Sequence, residues 1–172
     1  MPATNPNTLG VLQALQGLIV ANSGTTFAAL AAADATRYGV ARAVFIGAPK
    51  DFKDGAVPQC QIIPEDNDVT VIGAHGRVAD VLTVRLRIVV DFTDWWAAEQ
   101  SILMIRDLLL PLLATHVRAG AAPGSPLAAL DYAASTDHAA FTTITVAGVW
   151  YRTWSCLLRL EQIFVPTGGL VG

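Results

Sequence analysis

The side chains of this chain that could do chemistry are three histidines, two cysteines, one acidic run and a set of arginines, and their spacing decides what is open to them. None of His75, His116 and His138 stands within a few residues of another histidine or of a cysteine. His75 sits in Gly-Ala-His-Gly, which reads as a turn tip, and His138 follows Asp137 in a loop. General acid–base or nucleophilic work needs a base within hydrogen-bond reach of its partner, so solvated loop histidines and no catalytic residue are expected. Cys60 and Cys156 lie far apart, in no CxxC pattern and no Cys/His cluster. That predicts neither a zinc site nor a disulfide framework, but two small hydrophobes in the core. Glu65-Asp66-Asn67-Asp68 offers the oxygen ligands a hard cation takes, yet lacks the further spaced carboxylate and the glycine of an EF-hand loop. A solvated turn between strands is expected there, with no metal. Gly47-Ala48-Pro49-Lys50 is not followed by Gly-Lys-Ser/Thr, and neither GxSxG nor GxGxxG occurs. No cofactor is expected.

The arginines form a different kind of candidate. Arg85 and Arg87 fall on the polar side of an alternating segment, and Arg77, Arg152 and Arg159 join them if the strands pair suitably. Such a face lines a DNA channel or docks an acidic partner, or else it is a solvated face with cross-strand ion pairs to Asp91 and Glu161. The tryptophans fall as Trp95-Trp96 and as Trp150 and Trp154. Tryptophan is favoured at the centres of interfaces, and core packing is the alternative for two of them. The interaction candidates are therefore Arg77, Arg85, Arg87, Arg152, Trp95 and Trp96.

The elements that position these residues follow from periodicity. Asn7 or Thr8 caps a helix, whose face is Leu9, Leu12, Leu15, Leu18 and Ile19 and which Asn22-Ser23-Gly24 stops near Ala21. The alanine-rich stretch from Thr25 to Tyr38 is ambiguous, with a second helix as one reading. Strands are predicted from Val40 to Ile46, from Gln59 to Ile63 (ending at Pro64) and from Val69 to Ile72. Period-two alternation runs from Val81 to Phe92, with Val84, Leu86, Ile88, Val90 and Phe92 on one side and Thr83, Arg85, Arg87 and Asp91, along with Val89, on the other. Thr93 or Asp94 then caps a helix with the apolar stripe Ala98, Ile102, Ile105, Leu109 and Leu112 or Leu113. Pro111 kinks or tightens that helix near its end. A Gly/Ala/Pro loop spans Ala119 to Pro126, a short helical turn is predicted within Leu127 to Ala134, and Ser135 to Asp137 is polar. The stretch from Phe141 to Val165, broken at Gly148, is a hairpin or one long bent strand. The fold class expected is α+β: an antiparallel sheet covered on one face by two main α-helices, a two-layer sandwich. Residues 1–172 read as a single domain with flexible ends at about 1–7 and 166–172.

Composition bears on the surface. Hydrophobic residues make up 53% of the chain and charged residues 15%, against an ordinary charged share of about 25%. Such a surface is unusually apolar, or is covered by other subunits. A membrane-spanning helix needs about 20 consecutive apolar residues, and the longest apolar run, Ile102 to Val117, contains Arg106, Asp107 and Pro111. No Lys or Arg precedes the first apolar stretch, so it does not read as a signal peptide, and a cytosolic setting is expected. The net charge of −3 gives no global footprint for nucleic acid.

The layout resembles the tail terminator (tail-completion) proteins of long-tailed bacteriophages. The matching features are the opening amphipathic helix, a strand leading to Gly47-Ala48-Pro49, and the segment Pro58, Ile62, Ile63, Pro64. The long strand Val81 to Phe92 then runs into the helix Trp95 to Val117, and a final strand is introduced by Gly148-Val149-Trp150-Tyr151-Arg152. The resemblance spans roughly Leu9 to Val165 and is one of element order and hydrophobicity. It implies a virion protein, assembled in the host cytoplasm, that forms a homo-oligomeric ring, commonly of six subunits, at the head-proximal end of the tail tube. Such a ring stops tube polymerisation, meets the tail tube protein and the head–tail connector, and lets genomic DNA pass without reading its sequence. Another neck or head-completion protein, the tube protein and a small enzyme are the competing readings.

Overall fold

The computed structural model describes residues 8–26, 44–48, 57–72, 76–118, 129–133 and 141–165. In chain order the elements are α1 (Thr8–Thr26), β1 (Val44–Ile46), β2 (Gln59–Ile72), β3 (Arg77–Asp91), α2 (Trp95–Arg118), β4 (Ala129–Ala133), β5 (Phe141–Val146) and β6 (Val149–Phe164). The six strands form one sheet in the order β1-β2-β3-β6-β4, with β5 also paired to β6. The chain is therefore an α+β sheet with helices. All pairings are antiparallel except the short one between β1 and β2, which is parallel. Gly47 extends that parallel contact by donating its N–H to the Ile62 carbonyl at 2.8 Å.

Alternation builds the core. On β3 the side chains of Leu82, Val84, Leu86, Ile88 and Val90 are buried together with Cys60 and Ile62 of β2 and Trp154, Cys156, Leu158 and Leu160 of β6. Both helices contribute to this same cluster: Val11, Leu12, Leu15 and Ile19 from α1, and Ala98, Ile102, Ile105, Leu109 and Leu113 from α2. The α2 stripe is the one its spacing predicts. The α1 stripe is rotated: Val11 replaces Leu9, which is exposed, because the 11-12-15-19 set fits the 3.6-residue period better than steps of three. Gln16 fastens α1 to the sheet by donating to the Val44 carbonyl at 2.6 Å.

α2 begins where predicted. Asp94 accepts the Ala97 N–H on its carboxylate at 3.1 Å, a cap that satisfies a donor left free by helix geometry. Pro111 lies inside α2 on an exposed position without ending it. Near its start, Ser101 donates back to the Ala97 carbonyl at 2.7 Å.

Four expectations are corrected. α1 continues past Asn22-Ser23-Gly24 to Thr26, since weak local propensities yield to context. The segment from Gln59 to Ile72 is one strand rather than two with a turn at Glu65 to Asp68. A register shift between Pro64 and Asp66 absorbs one extra residue, and Pro64 is tolerated because, among the described residues, β2 is an edge strand beyond the three positions that β1 covers. Residues 129–133 form a strand, not a helical turn, because they pair with Leu157 to Glu161 of β6. Finally, the face of the sheet turned away from the main cluster is not uniformly solvated: Gln59, Gln61, Val89, Thr153 and Ser155 are all buried there. The cap at Asn7, the end segments 1–7 and 166–172, the possible helix over 27–38, the beginning of the first strand at 40–43 and the polar stretches at 119–126 and 135–137 lie outside the described residues.

Of the two readings of residues 141–165, a hairpin or one long bent strand, the hairpin is the one formed. β5 and β6 are joined by Ala147-Gly148, both at positive φ (49° and 81°). Two positive values are the signature of the two-residue turn whose twist matches a hairpin.

Ile88 is fully buried in the central strand. Ile88→Asp places an unpaired carboxylate there and is expected to cost more than about 4 kcal/mol, so its far-UV circular dichroism followed on heating should show no cooperative transition. A folded Ile88→Asp protein with a wild-type melting curve would overturn the assignment of faces on β3.

Candidate interaction surface

Among the described residues, the side chains that could do chemistry are not gathered into a site. Among the described residues no three His, Cys, Asp or Glu side chains come together as a metal would need. The acidic run lies along β2, where alternation separates it: Asp66 and Asp68 pair with Thr83 and Val81, while Asn67 pairs with Leu82 on the opposite face. His75 and His138 lie outside the described residues, and His116 belongs to the last part of α2. Cys60 and Cys156 are buried and free, as their isolation in sequence predicts. Burial pushes the Cys156 thiol up to about 12. Burial, with the neighbouring Cys156 adding to it, raises Cys60 further. Neither is a thiolate at neutral pH, so neither is a ready nucleophile.

The arginines divide into neutralised and open ones. Arg85 donates its Nε to one oxygen of Glu65 and its Nη2 to the other at 2.9 Å. Arg152 grips Glu99 in the same two-point fashion, at 2.8 and 2.7 Å. The carboxylate partners are thus Glu65 and Glu99, not the predicted Asp91 and Glu161. Arg152 does not share a face with Arg85. It stands opposite Val90 on the helix-covered side, where α2 brings Glu99, and its guanidinium lies 5.8 Å from the centre of the Phe141 ring. Arg87 shares the Arg85 face, between Gln61 and Ser155, and has no carboxylate partner among the described residues. Burial first, then the like charge of Arg85, pull its guanidinium below the usual range. Arg77 is exposed at the start of β3, and Arg159 is exposed on β6 opposite Thr83. Of the four arginines proposed as a channel or interface set, Arg77 and Arg87 have no ion-pair partner among the described residues, although Glu65 offsets part of the Arg87 charge.

The apolar side chains give the surface its character. Trp154 is core, whereas Trp95, Trp96 and Trp150 are 58%, 62% and 59% exposed. Trp95 and Trp96 stand together, with ring centroids 6.4 Å apart. They open α2 just after β3 ends at Asp91, and Asp91 pairs with Tyr151, the neighbour of Trp150. Three tryptophans and Val149 therefore crowd one end of the sheet. At the other end Val69, Val71 and Ile72 of β2 and Ile163 of β6 are exposed. Between the ends runs an open margin: beyond Ile62, β2 has no strand on its outer side among the described residues. Pro64, the extra residue at Glu65 and the acids Asp66 and Asp68 along it are devices that discourage indiscriminate pairing. Sequence reasoning singled out Trp95 and Trp96 but missed Val69, Val71 and the open margin, because it ended the strand at Pro64.

The Glu99–Arg152 pair is largely buried, with side chains 20% and 15% exposed. Hydrogen bonds from Arg152 hold the Glu99 carboxyl below its usual value of 4.5 against the opposing effect of burial. A depressed carboxyl contributes stability above its unfolded value and loses it as pH falls through the folded one. Wild type should therefore lose more stability than Glu99→Gln as pH is lowered from about 5 to 3. Urea denaturation at pH 7 should show Arg152→Ala about 1–3 kcal/mol less stable. Identical pH slopes in wild type and Glu99→Gln would contradict the pairing.

Among the described residues no helix is long and apolar enough to cross a membrane. Comparison of the chain with protein-family models and with curated proteins finds no match.

Proposed function

We propose that this chain is a non-enzymatic structural protein that works by assembling with copies of itself, and that its role is that of a tail terminator in a long-tailed bacteriophage. The observation that carries the reading is the apolar surface. Fourteen large hydrophobic side chains are exposed among the described residues, in a chain with only 15% charged residues. Eight of them stand at the ends of the sheet, Val69, Val71, Ile72 and Ile163 at one and Trp95, Trp96, Val149 and Trp150 at the other, and large exposed apolar patches mark interfaces.

A contact between unlike surfaces of identical subunits closes into a ring when its rotation divides the circle. A terminator ring stacks one face on the tail tube protein and offers the other to the head–tail connector, so tube growth stops there. Genomic DNA passing through is met by charge alone, and Arg77 and Arg87 are the cations of the proposed set left free to meet it. The protein would then reside in the virion neck after assembly in the host cytoplasm. The resemblance in element order supports this placement, as does the continuity of the long strand into the tryptophan-led helix. An α+β sheet with helices fits the expectation.

Mass measurement in solution combined with negative-stain imaging tests the reading. Closed rings, commonly six-membered, are the expected outcome, and they should bind purified tail tubes at one end. Open filaments formed by the protein alone would instead assign it to the tube. Rings that bind the connector but never a tube would make it another neck or head-completion protein. A monomer at millimolar concentration would refute assembly altogether.

A further inference from the structure

The face of the sheet turned away from α1 and α2 carries a polar cluster whose hydrogen-bonding needs do not cancel. Gln61, Arg87 and Ser155 form one cross-strand row, and Gln59, Val89 and Thr153 form the next. Partners in a row stand about 5 Å apart and the two rows about 7 Å apart, so one small group can meet side chains of both. Arg87 is half-buried and makes no hydrogen bond or ion pair among the described residues. Glu65 offsets part of its charge, but both Glu65 oxygens are gripped by Arg85. Arg85 and Arg87 against Glu65 leave one positive charge in excess. The next acids on this face, Asp66 opposite Thr83 and Asp91, stand two rows away on either side and are exposed, at about 14 Å, where solvent ions screen them.

The amides supply the second observation. Gln59 and Gln61 are 0% exposed. Gln61 donates to the Gln59 oxygen at 3.3 Å, which leaves the Gln59 nitrogen as a donor and the Gln61 oxygen as an acceptor without a partner among the described residues. Exchanging oxygen and nitrogen in both amides leaves the same remainder, one donor and one acceptor. Unpaired buried groups of this kind destabilise a fold until something meets them.

We propose that this cluster is a binding site for inorganic phosphate, held by Arg87 and the Gln59–Gln61 pair. Three needs select that ligand. Arg87 calls for negative charge on oxygens that its planar fork can meet. The amide donor calls for an acceptor, and the amide acceptor calls for a proton. Phosphate at neutral pH answers all three, since both of its ionic forms there keep a P–OH. Sulfate, carboxylates and the phosphodiesters of DNA bring charge without that proton, and a phosphate monoester, with its second pKa near about 6, has mostly lost it. Water brings the proton without the charge. The site is independent of self-assembly. Phosphate held there takes Arg87 out of the charge offered to passing DNA and leaves Arg77 to meet it.

Calorimetric titration of the full chain at pH 7 with sodium phosphate, and separately with sodium sulfate, tests the site. Phosphate should bind at one site per chain, and sulfate about tenfold or more weaker, because it leaves the amide acceptor unmet. Arg87→Gln should weaken phosphate by about tenfold or more. Gln61→Met keeps the length of the side chain and removes the acceptor, and it should bring phosphate down to the level of sulfate. Melting curves check that each variant is folded. If Gln61→Met does not fold, the sulfate comparison in wild type reads the same contact. No phosphate binding by wild type up to about 10 mM, equal affinity for sulfate, or an affinity unchanged in folded Arg87→Gln each overturns the site.

Discussion

The antiparallel pairing of β3 with β6 is the constraint on which the rest of the molecule hangs. It runs through fourteen consecutive residue pairs, from Val78 opposite Phe164 to Asp91 opposite Tyr151, without a register break. Every other strand of the sheet attaches to one side of this pair or the other: β2, and β1 beyond it, on the β3 side, and β4 and β5 one after the other along the free margin of β6. The helix-side residues of the two strands, Val84, Leu86 and Ile88 against Leu158, Cys156 and Trp154, form the floor on which α1 and α2 lie. Because side chains alternate with a period of two, a slip of one residue between β3 and β6 would turn that whole floor outward. The fixed register also decides where the tryptophans stand, since Trp150 and the start of α2 inherit their positions from the Asp91–Tyr151 pair.

How far this was legible in sequence depended on whether a signal was local. The alternation in β3 and the 3.6-residue stripe of α2 are strong local patterns, and both were read correctly. Asp94 is an ordinary cap, and the turn at Gly148 announces itself by residue type. What could not be read was decided by partners distant in the chain. Pro64 ends a strand only if its neighbours on both sides need its N–H, and the open margin of β2 removes that need. Residues 129–133 become a strand because β6 has a free margin there. Arg152 leaves the arginine face because Glu99 waits on the helix side. The burial of Gln59, Gln61 and Thr153 had no local cue, since amide and hydroxyl side chains in alternating positions read as a wet face.

The same distinction governs the interaction surface. Counting arginines suggests a basic face, whereas the geometry shows Arg85 and Arg152 each held by a carboxylate at two points. What remains for a partner among the described residues is a sparse set of charges, Arg77, Arg87 and Arg159 against Asp66, Asp68, Asp91 and Asp94, beside exposed tryptophan and aliphatic side chains. With so few exposed charges, orientation in an assembly is set by where those few stand, and affinity by the apolar groups between them. The buried Gln59 and Gln61 belong to the interior side: Gln61 donates to the Gln59 oxygen at 3.3 Å, and their remaining amide atoms find no partner among the described residues. A one-residue slip of β2 would carry both amides into the apolar floor, so the pair helps to specify the pairing it sits in.

The extra residue in β2 has an effect that reaches further than its size. Up to Pro64, the even-numbered positions of β2 face the helices. After the register shift, the odd-numbered positions do, so that Val69 and Val71 stand opposite Asp80 and Val78. Had the strand continued in its first phase, Asp66 would have met Leu82 and Asp68 would have met the buried Asp80, setting two carboxylates side by side on the helix-facing surface. The insertion works as a half-period delay: it sends the acids to the far side of the ribbon and lets the distal arm present a clean aliphatic stripe.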